Sequence, residues 1–499
     1  MKISEYGDDP LLTYDQAIEY LESFIDYEKI AGPYDPRKWK LERMERILDA
    51  IGNPHRNQRF IHIAGTKGKG STASMIASVL SEAGFKTGLY TSPHLVSFRE
   101  RICINGDMIS KDQVSDLVAR IKPRISSFLK NPRVRGDQSK KGSKGADAPL
   151  DELRDERISF FDVYTALALL FFAREKVDFA VLEVGMGGRL DATNVVLPLV
   201  SVITQISYDH MISLGNTIEA IAKEKAGIIK DNGYVITSPQ LPEAMEVIRN
   251  TCSEKIAMLF EVGKDVQIVE CGSVGALPAY AGTSVPYLEK AGDPPLARGE
   301  LKGGFTISGI FDRYENLRIP LLGDHQLVNA ATAVGALEIL RFHGLTISAE
   351  AIRAGLEKVE WHARVEVIQH NPTVILDVAH NAASAKALQD TIESNFKYEK
   401  LILILGSSLH KDIKGMGQYL CPMADIIILT KVANPRAMKP EDVKSELGEN
   451  CGNIVITHDA ASAWEKARAI ASPRDLICVT GSVYLAGEIM RILGNELPF

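Results

Sequence analysis

Residues 59 to 72 read Arg-Phe-Ile-His-Ile-Ala-Gly-Thr-Lys-Gly-Lys-Gly-Ser-Thr, an apolar run that breaks into a glycine-rich turn and then opens helix-forming sequence. Gly65, Gly68 and Gly70 let the backbone curl so that successive N–H groups and the positive end of the next helix converge on one anion, with Lys69 adding a point charge. This is a phosphate cradle, and a nucleoside triphosphate is the ligand it suits. The match to the strict P-loop pattern is imperfect, because Gly70 stands between Lys69 and the hydroxyl pair Ser71/Thr72. A plain tight turn stays open as the alternative.

Two further groups have the chemistry to work beside such a cradle. Glu183 ends an apolar run and leads into Val184-Gly185-Met186-Gly187-Gly188-Arg189-Leu190-Asp191, a turn that lets backbone approach a ligand. Mg²⁺ takes one or two protein oxygens and completes its octahedron with water and phosphate oxygens, so a strand-end carboxylate near a phosphate site is what it needs. The alternative is a capping or salt-bridged Glu. His210 follows Val202-Ile203-Thr204-Gln205-Ile206-Ser207-Tyr208-Asp209, and a lone His there is either structural or a ligand.

These residues must be positioned by the elements around them. Strands are expected at Phe60–Ala64, Thr87–Tyr90, Phe179–Val184 and Val200–Gln205, and helices at Ser71–Ala83 and Ser159–Arg174. Such alternation builds an α/β fold, a parallel sheet covered by helices, whose ligands gather outside the carboxyl ends of the strands. The polar clusters Gly65–Ser71, Thr91-Ser92-Pro93-His94, Glu183 and Asp209-His210 all fall at those ends. A second alternating unit follows Trp361, with strands at Thr373–Asp377, Leu401–Leu405, Ile426–Thr430, Ile454–Thr457 and Leu476–Thr480 and a helix at Ala382–Glu393. At ~140 residues it is one small α/β domain. Helices at Leu327–Phe342 and Ala349–Lys358 finish the first domain, placing a hinge near 358–364 and the domains at 1–360 and 361–499. Two stretches, about 130–157 and 271–304, read as solvated surface insertions.

Composition narrows the class. At 499 residues the chain has ample core, and a net charge of −7 without a basic block argues against nucleic acid as a partner. The six cysteines, Cys103, Cys252, Cys271, Cys421, Cys451 and Cys478, are widely spaced with no C-x-x-C, so neither a disulfide framework nor a zinc site is expected and a reducing cytoplasm fits. No signal-like amino terminus and no apolar run near the ~20 residues of a membrane helix is seen, which gives the expectation of a cytoplasmic protein without a membrane partner.

The chain resembles the folylpolyglutamate synthase and bifunctional dihydrofolate synthase family, part of the Mur ligase superfamily. The segments that carry the resemblance are Gly65–Ser71, Tyr90–Leu95 with Arg99-Glu100-Arg101, Glu183–Asn194, Asp209-His210, Glu224–Ile228, Leu322–Ala330, Asp377–Asn381 and Thr480–Glu488, in family order over nearly the whole chain. The family's extra glycine before Ser71 explains the imperfect P-loop. The fold implied is a P-loop-containing Mur-ligase-type parallel-sheet domain, followed by a smaller Rossmann-like α/β domain.

The resemblance implies a role for each matched position. Gly68, Lys69, Gly70 and Ser71 would hold ATP phosphates; Ser92, Glu183 and His210 would serve two Mg²⁺ ions; Asn329, Arg364 and Asp377 would complete the nucleotide site across the domain gap. Thr91 and the turn Arg189, Leu190, Asp191 match the pterin-side pocket. Lys225 matches a lysine that the family carbamylates with CO₂, against the plainer reading of a helix-surface Lys, and Lys69, Lys225 and His380 are the catalytic candidates. The implied reaction is ATP-driven attachment of L-glutamate to a folate or dihydropteroate carboxylate through an acyl phosphate, by a monomer. The sequence departs from the family at Lys67, where many relatives have Asn; at Trp361-His362-Ala363-Arg364, in place of a Pro-Gly-Arg approach; at Val378, in place of Gly; and at Leu409–Asp412. The rivals are a peptidoglycan-type Mur ligase, for which the 64 residues before Gly65 are too few to hold the extra domain of ~100 residues, and a non-catalytic ATP-binding module.

Overall fold

The structure, a computed structural model, describes residues 12–26, 41–130, 158–208, 214–271, 304–409, 411–448 and 451–494. Its first sheet has eight strands: β1 Phe60–Ala64, β2 Thr87–Tyr90, β3 Ile102–Ile104, β4 Asp107–Met108, β5 Phe179–Glu183, β6 Pro198–Ile203, β7 Tyr234–Thr237 and β8 Met258–Glu261. Their order is β4-β3-β2-β5-β1-β6-β7-β8. Every residue of β1 and β5 is buried, as apolar runs covered on both faces by helices must be. The chain passes from β1 to β2 on one flank, fills the gap with β5, and then crosses β1 to lay down β6 on the other. A topological switch point therefore lies beside the carboxyl ends of β1 and β5, where α/β sheets receive ligands.

The sheet is parallel from β2 through β8, as the sequence expectation has it, and carries an antiparallel edge that the sequence reading did not include. The strands β3 and β4 pair antiparallel about Asn105-Gly106, both at positive φ, and β3 pairs antiparallel with β2. Such an Asn-Gly dipeptide between short apolar runs is a hairpin signal, missed because β3 and β4 have only three and two residues. A further antiparallel sheet, β9 Gln267–Cys271, β10 Phe305–Ser308 and β11 Arg313–Leu317, had no counterpart in the sequence reading. Its β10–β11 turn closes on the buried Glu338, which accepts from Asp312 N (3.0 Å) and the Tyr314 hydroxyl (3.0 Å). The first residue of each expected insertion belongs to a described element, Lys130 to a helix and Cys271 to β9. Residues 131–157 and 272–303 lie outside the described residues.

The third sheet has β12 Glu366–Gln369, β13 Thr373–Leu376, β14 Leu401–Leu405, β15 Ile426–Leu429, β16 Asn453–Ile456 and β17 Leu476–Thr480, ordered β12-β13-β17-β14-β15-β16. All neighbours are parallel except the edge strand β12. Apolar clusters fill both faces, one against the helix Ala382–Asn395 and the other against the helices Ala460–Ile470 and Val483–Ile492. Cys421 and Cys451 form a disulfide with their Cα atoms 4.7 Å apart, against the expectation of unpaired cysteines. They are 30 residues apart, and only the packing of the helix Ile413–Met423 beside the approach to β16 brings them together, a proximity that spacing does not encode. Among the described residues no helix is long and apolar enough to cross a membrane.

Candidate active site

The cradle forms where β1 ends. Thr66 and Lys67 donate their N–H groups to Gln205 O (2.9 and 3.1 Å), which ties the turn to the end of β6. Gly68 then takes φ 80° as the residue before the helix Lys69–Glu82. A side chain there would face both the left-handed conformation and Asn329 Oδ1, which lies where its Cβ would fall. Asn329, itself buried, donates to Gln326 Oε1 (2.9 Å). Asn329 thus lies against the turn at Gly68. Lys225 is buried and donates its Nζ to Gly65 O (2.8 Å), so it pins the start of the cradle rather than lying on a helix surface.

Glu183 closes β5 within reach of the same helix end. Its Oε1 lies 3.8 Å from Lys69 Nζ, and its Oε2 accepts from Ser92 N (3.1 Å). Burial pushes its carboxyl above the usual range, opposed by Lys69, the Ser92 N–H and Arg364. A hard cation suits this buried, half-compensated carboxylate beside a serine. Among the described residues no three His, Cys, Asp or Glu side chains gather, so a cation here would take much of its shell from phosphate and water. Asp209 and His210 lie outside the described residues.

On the other side of the site, Asp377 follows β13 and is buried. Its Oδ1 accepts from Ala379 N (2.6 Å) and its Oδ2 from Val365 N (3.2 Å). Burial lowers the affinity of Arg364 for its proton, while Asp377 from the second domain and Glu183 from the first both favour the charged form. Carboxylates of both domains thus favour charge on Arg364. His380 Nδ1 donates to Val378 O (2.8 Å) at the start of the next helix.

The turn after Glu183 is held from within. Asp191 is buried and accepts from Met186 N (2.9 Å) and Thr193 N (3.0 Å), while Arg189 places Nε and Nη2 on Glu224 Oε1 (3.1 and 2.9 Å). Leu190 is half-buried beside them. Thr91 is buried, with its N–H on Arg101 O (3.1 Å). The Asp191 carboxylate is therefore occupied in shaping the turn, and Arg189 and Leu190 are its outward-facing members. Sequence reasoning named Trp361 only as a departure from the family, and its ring packs where a Gly70 side chain would stand; it did not single out Glu366, which holds the hinge turn and for which the spacing of four from His362 was the available signal.

A phosphate cradle at a switch point, a buried carboxylate beside it and a second α/β domain delivering Arg364 and Asp377 define a two-domain ligase of the Mur type. Two family profiles agree: the Mur ligase middle domain over residues 143–277 and the Mur ligase glutamate ligase domain over residues 363–483. The chain is 34% identical over 91% of its length to the dihydrofolate synthase/folylpolyglutamate synthase of Bacillus subtilis, 94% of which is covered. Among solved structures, a Mycobacterium tuberculosis folylpolyglutamate synthase complexed with ADP superposes with a TM-score of 0.80 at 30% identity, covering 96% of this chain and 98% of that one. Escherichia coli FolC in complex with DHPP and ADP gives 0.73 at 28% identity, covering 97% and 98%. The chain belongs to the folylpolyglutamate synthase/dihydrofolate synthase family.

Proposed function

We propose that this protein uses ATP to join L-glutamate to the carboxylate of a folate or dihydropteroate. The observation that carries the reading is the meeting of Lys69 and Glu183 from the first domain with Arg364 and Asp377 from the second around one site. The cradle N–H groups of Gly68, Lys69, Gly70 and Ser71 would grip the phosphates, with Lys69 drawing charge from the transferring group. Asn329, Arg364 and Asp377 would hold the rest of the nucleotide. Ser92, Glu183 and His210 would hold Mg²⁺, as two ions, which supplies charge neutralisation at the transferring phosphoryl group.

The substrate, its pterin side held by Thr91 and the Arg189–Asp191 turn, would present a carboxylate that takes the γ-phosphoryl group to give an acyl phosphate. The glutamate amine then attacks the acyl carbon, and phosphate leaves. An acyl phosphate hydrolyses readily, so the domains, divided at 360/361, must close over it and exclude water, bringing His380 toward the site. Lys225, placed at the cradle, is the group we assign as carbamylated, and intact-mass measurement of the active enzyme should show the added CO₂. We further assign a cytoplasmic monomer without nucleic-acid partners.

One contact tests closure directly. In the helix Val483–Ile492 a Cβ on Gly487 would run into Leu95 O, and Arg491 Nη2 donates to Val96 O (2.8 Å) from the same helix. Gly487→Ala should part these surfaces and lower turnover on the order of tenfold through misplacement alone. Its thermal unfolding should stay close to the parent's, and parental turnover would contradict the closure. The function itself is tested by incubating the purified protein with dihydropteroate or with tetrahydrofolate, each with ATP and labelled glutamate. Glutamate-dependent phosphate release and a labelled product are expected, and the absence of both with either acceptor would refute the proposal.

A further inference from the structure

The hinge turn that carries Arg364 is built from two residues whose conformation disfavours side chains. Ala363 has φ 55° and Val365 φ 50°, both left-handed, and for a β-branched valine this is an outlier. Neither is a glycine, and both side chains are buried. Something must hold the turn against its tendency to relax to negative φ.

Two carboxylates do so, one for each strained residue. Glu366 Oε2 accepts from Ala363 N (2.8 Å), and Asp377 Oδ2 accepts from Val365 N (3.2 Å). The other oxygen of Glu366, Oε1, bonds His362 Nδ1 (2.8 Å). Burial works against charge on His362, but the bond to Glu366 and the negative charges of Glu366, Glu360 and Glu100 outweigh it and raise its proton affinity. The His362–Glu366 pair therefore straddles the strained segment, one arm on the side chain before it and the other on its first amide. Arg364 sits between the two pinned amides, with both Asp377 and Glu183 favouring its charged form.

We propose that Glu366 is a positioning residue for the nucleotide site: it clamps the left-handed turn at Ala363, where a glycine would hold the same shape unaided, and so aims Arg364 into the cleft. The inference rests on the nucleotide role assigned to Arg364. Its distinguishing consequence is that the need for Glu366 vanishes when Ala363 becomes glycine, because glycine adopts positive φ at no steric cost. A purely structural carboxylate would show no such relief.

The test measures AMP-PCP affinity by calorimetry and hydrogen exchange of the 363–365 amides in the full-length chain. Glu366→Ala should weaken AMP-PCP binding about tenfold and expose these amides to exchange, whereas Ala363→Gly alone binds as the parent. The Ala363→Gly/Glu366→Ala double variant should return to within about threefold of the parent. Parental affinity and protection in Glu366→Ala, or a double variant no better than the single, overturns the clamp. Should Glu366→Ala fail to fold, a double variant that folds and binds is the same rescue, and one that also fails overturns the proposal. Arg364→Ala separates the two layers: if it binds AMP-PCP as the parent does while Glu366→Ala still opens the amides, the nucleotide reading of Arg364 falls and the clamp on the turn stands.

Discussion

Glu183→Gln should lower kcat by about a thousandfold, the upper range for losing one preorganised charge-stabilising group, while leaving the protein no less heat-stable at pH 7. The substitution conserves volume and an oxygen that can accept from Ser92 N (3.1 Å), so β5 keeps its end. It removes the anionic oxygen facing Lys69 and the position for Mg²⁺, for which an amide oxygen is a poorer ligand. Stability should move the other way. Burial raises the Glu183 carboxyl above its ordinary value of 4.5, so the folded state binds that proton more tightly than the unfolded chain. The favourable contribution of the protonated acid is complete below the ordinary carboxyl value and is lost as pH rises through the elevated one. Gln has no such proton to lose, so this loss with rising pH is absent from the variant. Melting curves of both proteins from pH 4 to pH 7 should show the parent losing ground to Glu183→Gln as pH rises, and Mg²⁺-titrated kcat supplies the activity arm. A variant with parental kcat and Mg²⁺ requirement would remove Glu183 from the site.

Local pattern accounts for what the sequence disclosed. The strands β1, β2, β14 and β17 lie where apolar runs bounded by turn residues put them, and the cradle and Glu183 lie at strand ends because the covalent order places them there. The helix of the cradle starts at Lys69 rather than Ser71, since Gly68 at φ 80° already caps it. What stayed hidden depends on partners remote in sequence. Lys225 reads as an amphipathic-helix lysine until Gly65 O, 160 residues away, is seen beside it. Cys421 and Cys451 pair through the packing of two elements. Ala363 and Val365 give no hint of positive φ, because their residue types argue against it and only the carboxylates of Glu366 and Asp377 overrule them. The N–H groups of Met186 and Thr193 that the Asp191 carboxylate accepts from are likewise set by the folded turn rather than by residue type.

Asp377→Ala should reduce kcat/KM for ATP by about a hundredfold, or 2.7 kcal/mol of transition-state stabilisation. An Asp at the end of β13 can serve as a nucleotide ligand or as a cap on the helix Ala382–Asn395. The structure gives the capping contact to Asn381, whose side chain accepts from Ser384 N (3.0 Å), and leaves Asp377 to hold Ala379 N and Val365 N beside Arg364. Removing it orphans two buried donors, each worth about 1–3 kcal/mol when left unpaired, so Asp377→Ala should also melt lower. A fall in both quantities would not by itself identify the role. Asp377→Asn separates them, because its amide oxygen can still accept from Ala379 N while the charge that balances Arg364 is gone. It should melt closer to the parent than Asp377→Ala does and still show most of the loss in kcat/KM for ATP. If Asp377→Asn keeps the parental kcat/KM, the carboxylate serves the hinge turn alone and the nucleotide site must draw on the second domain through Arg364 without it.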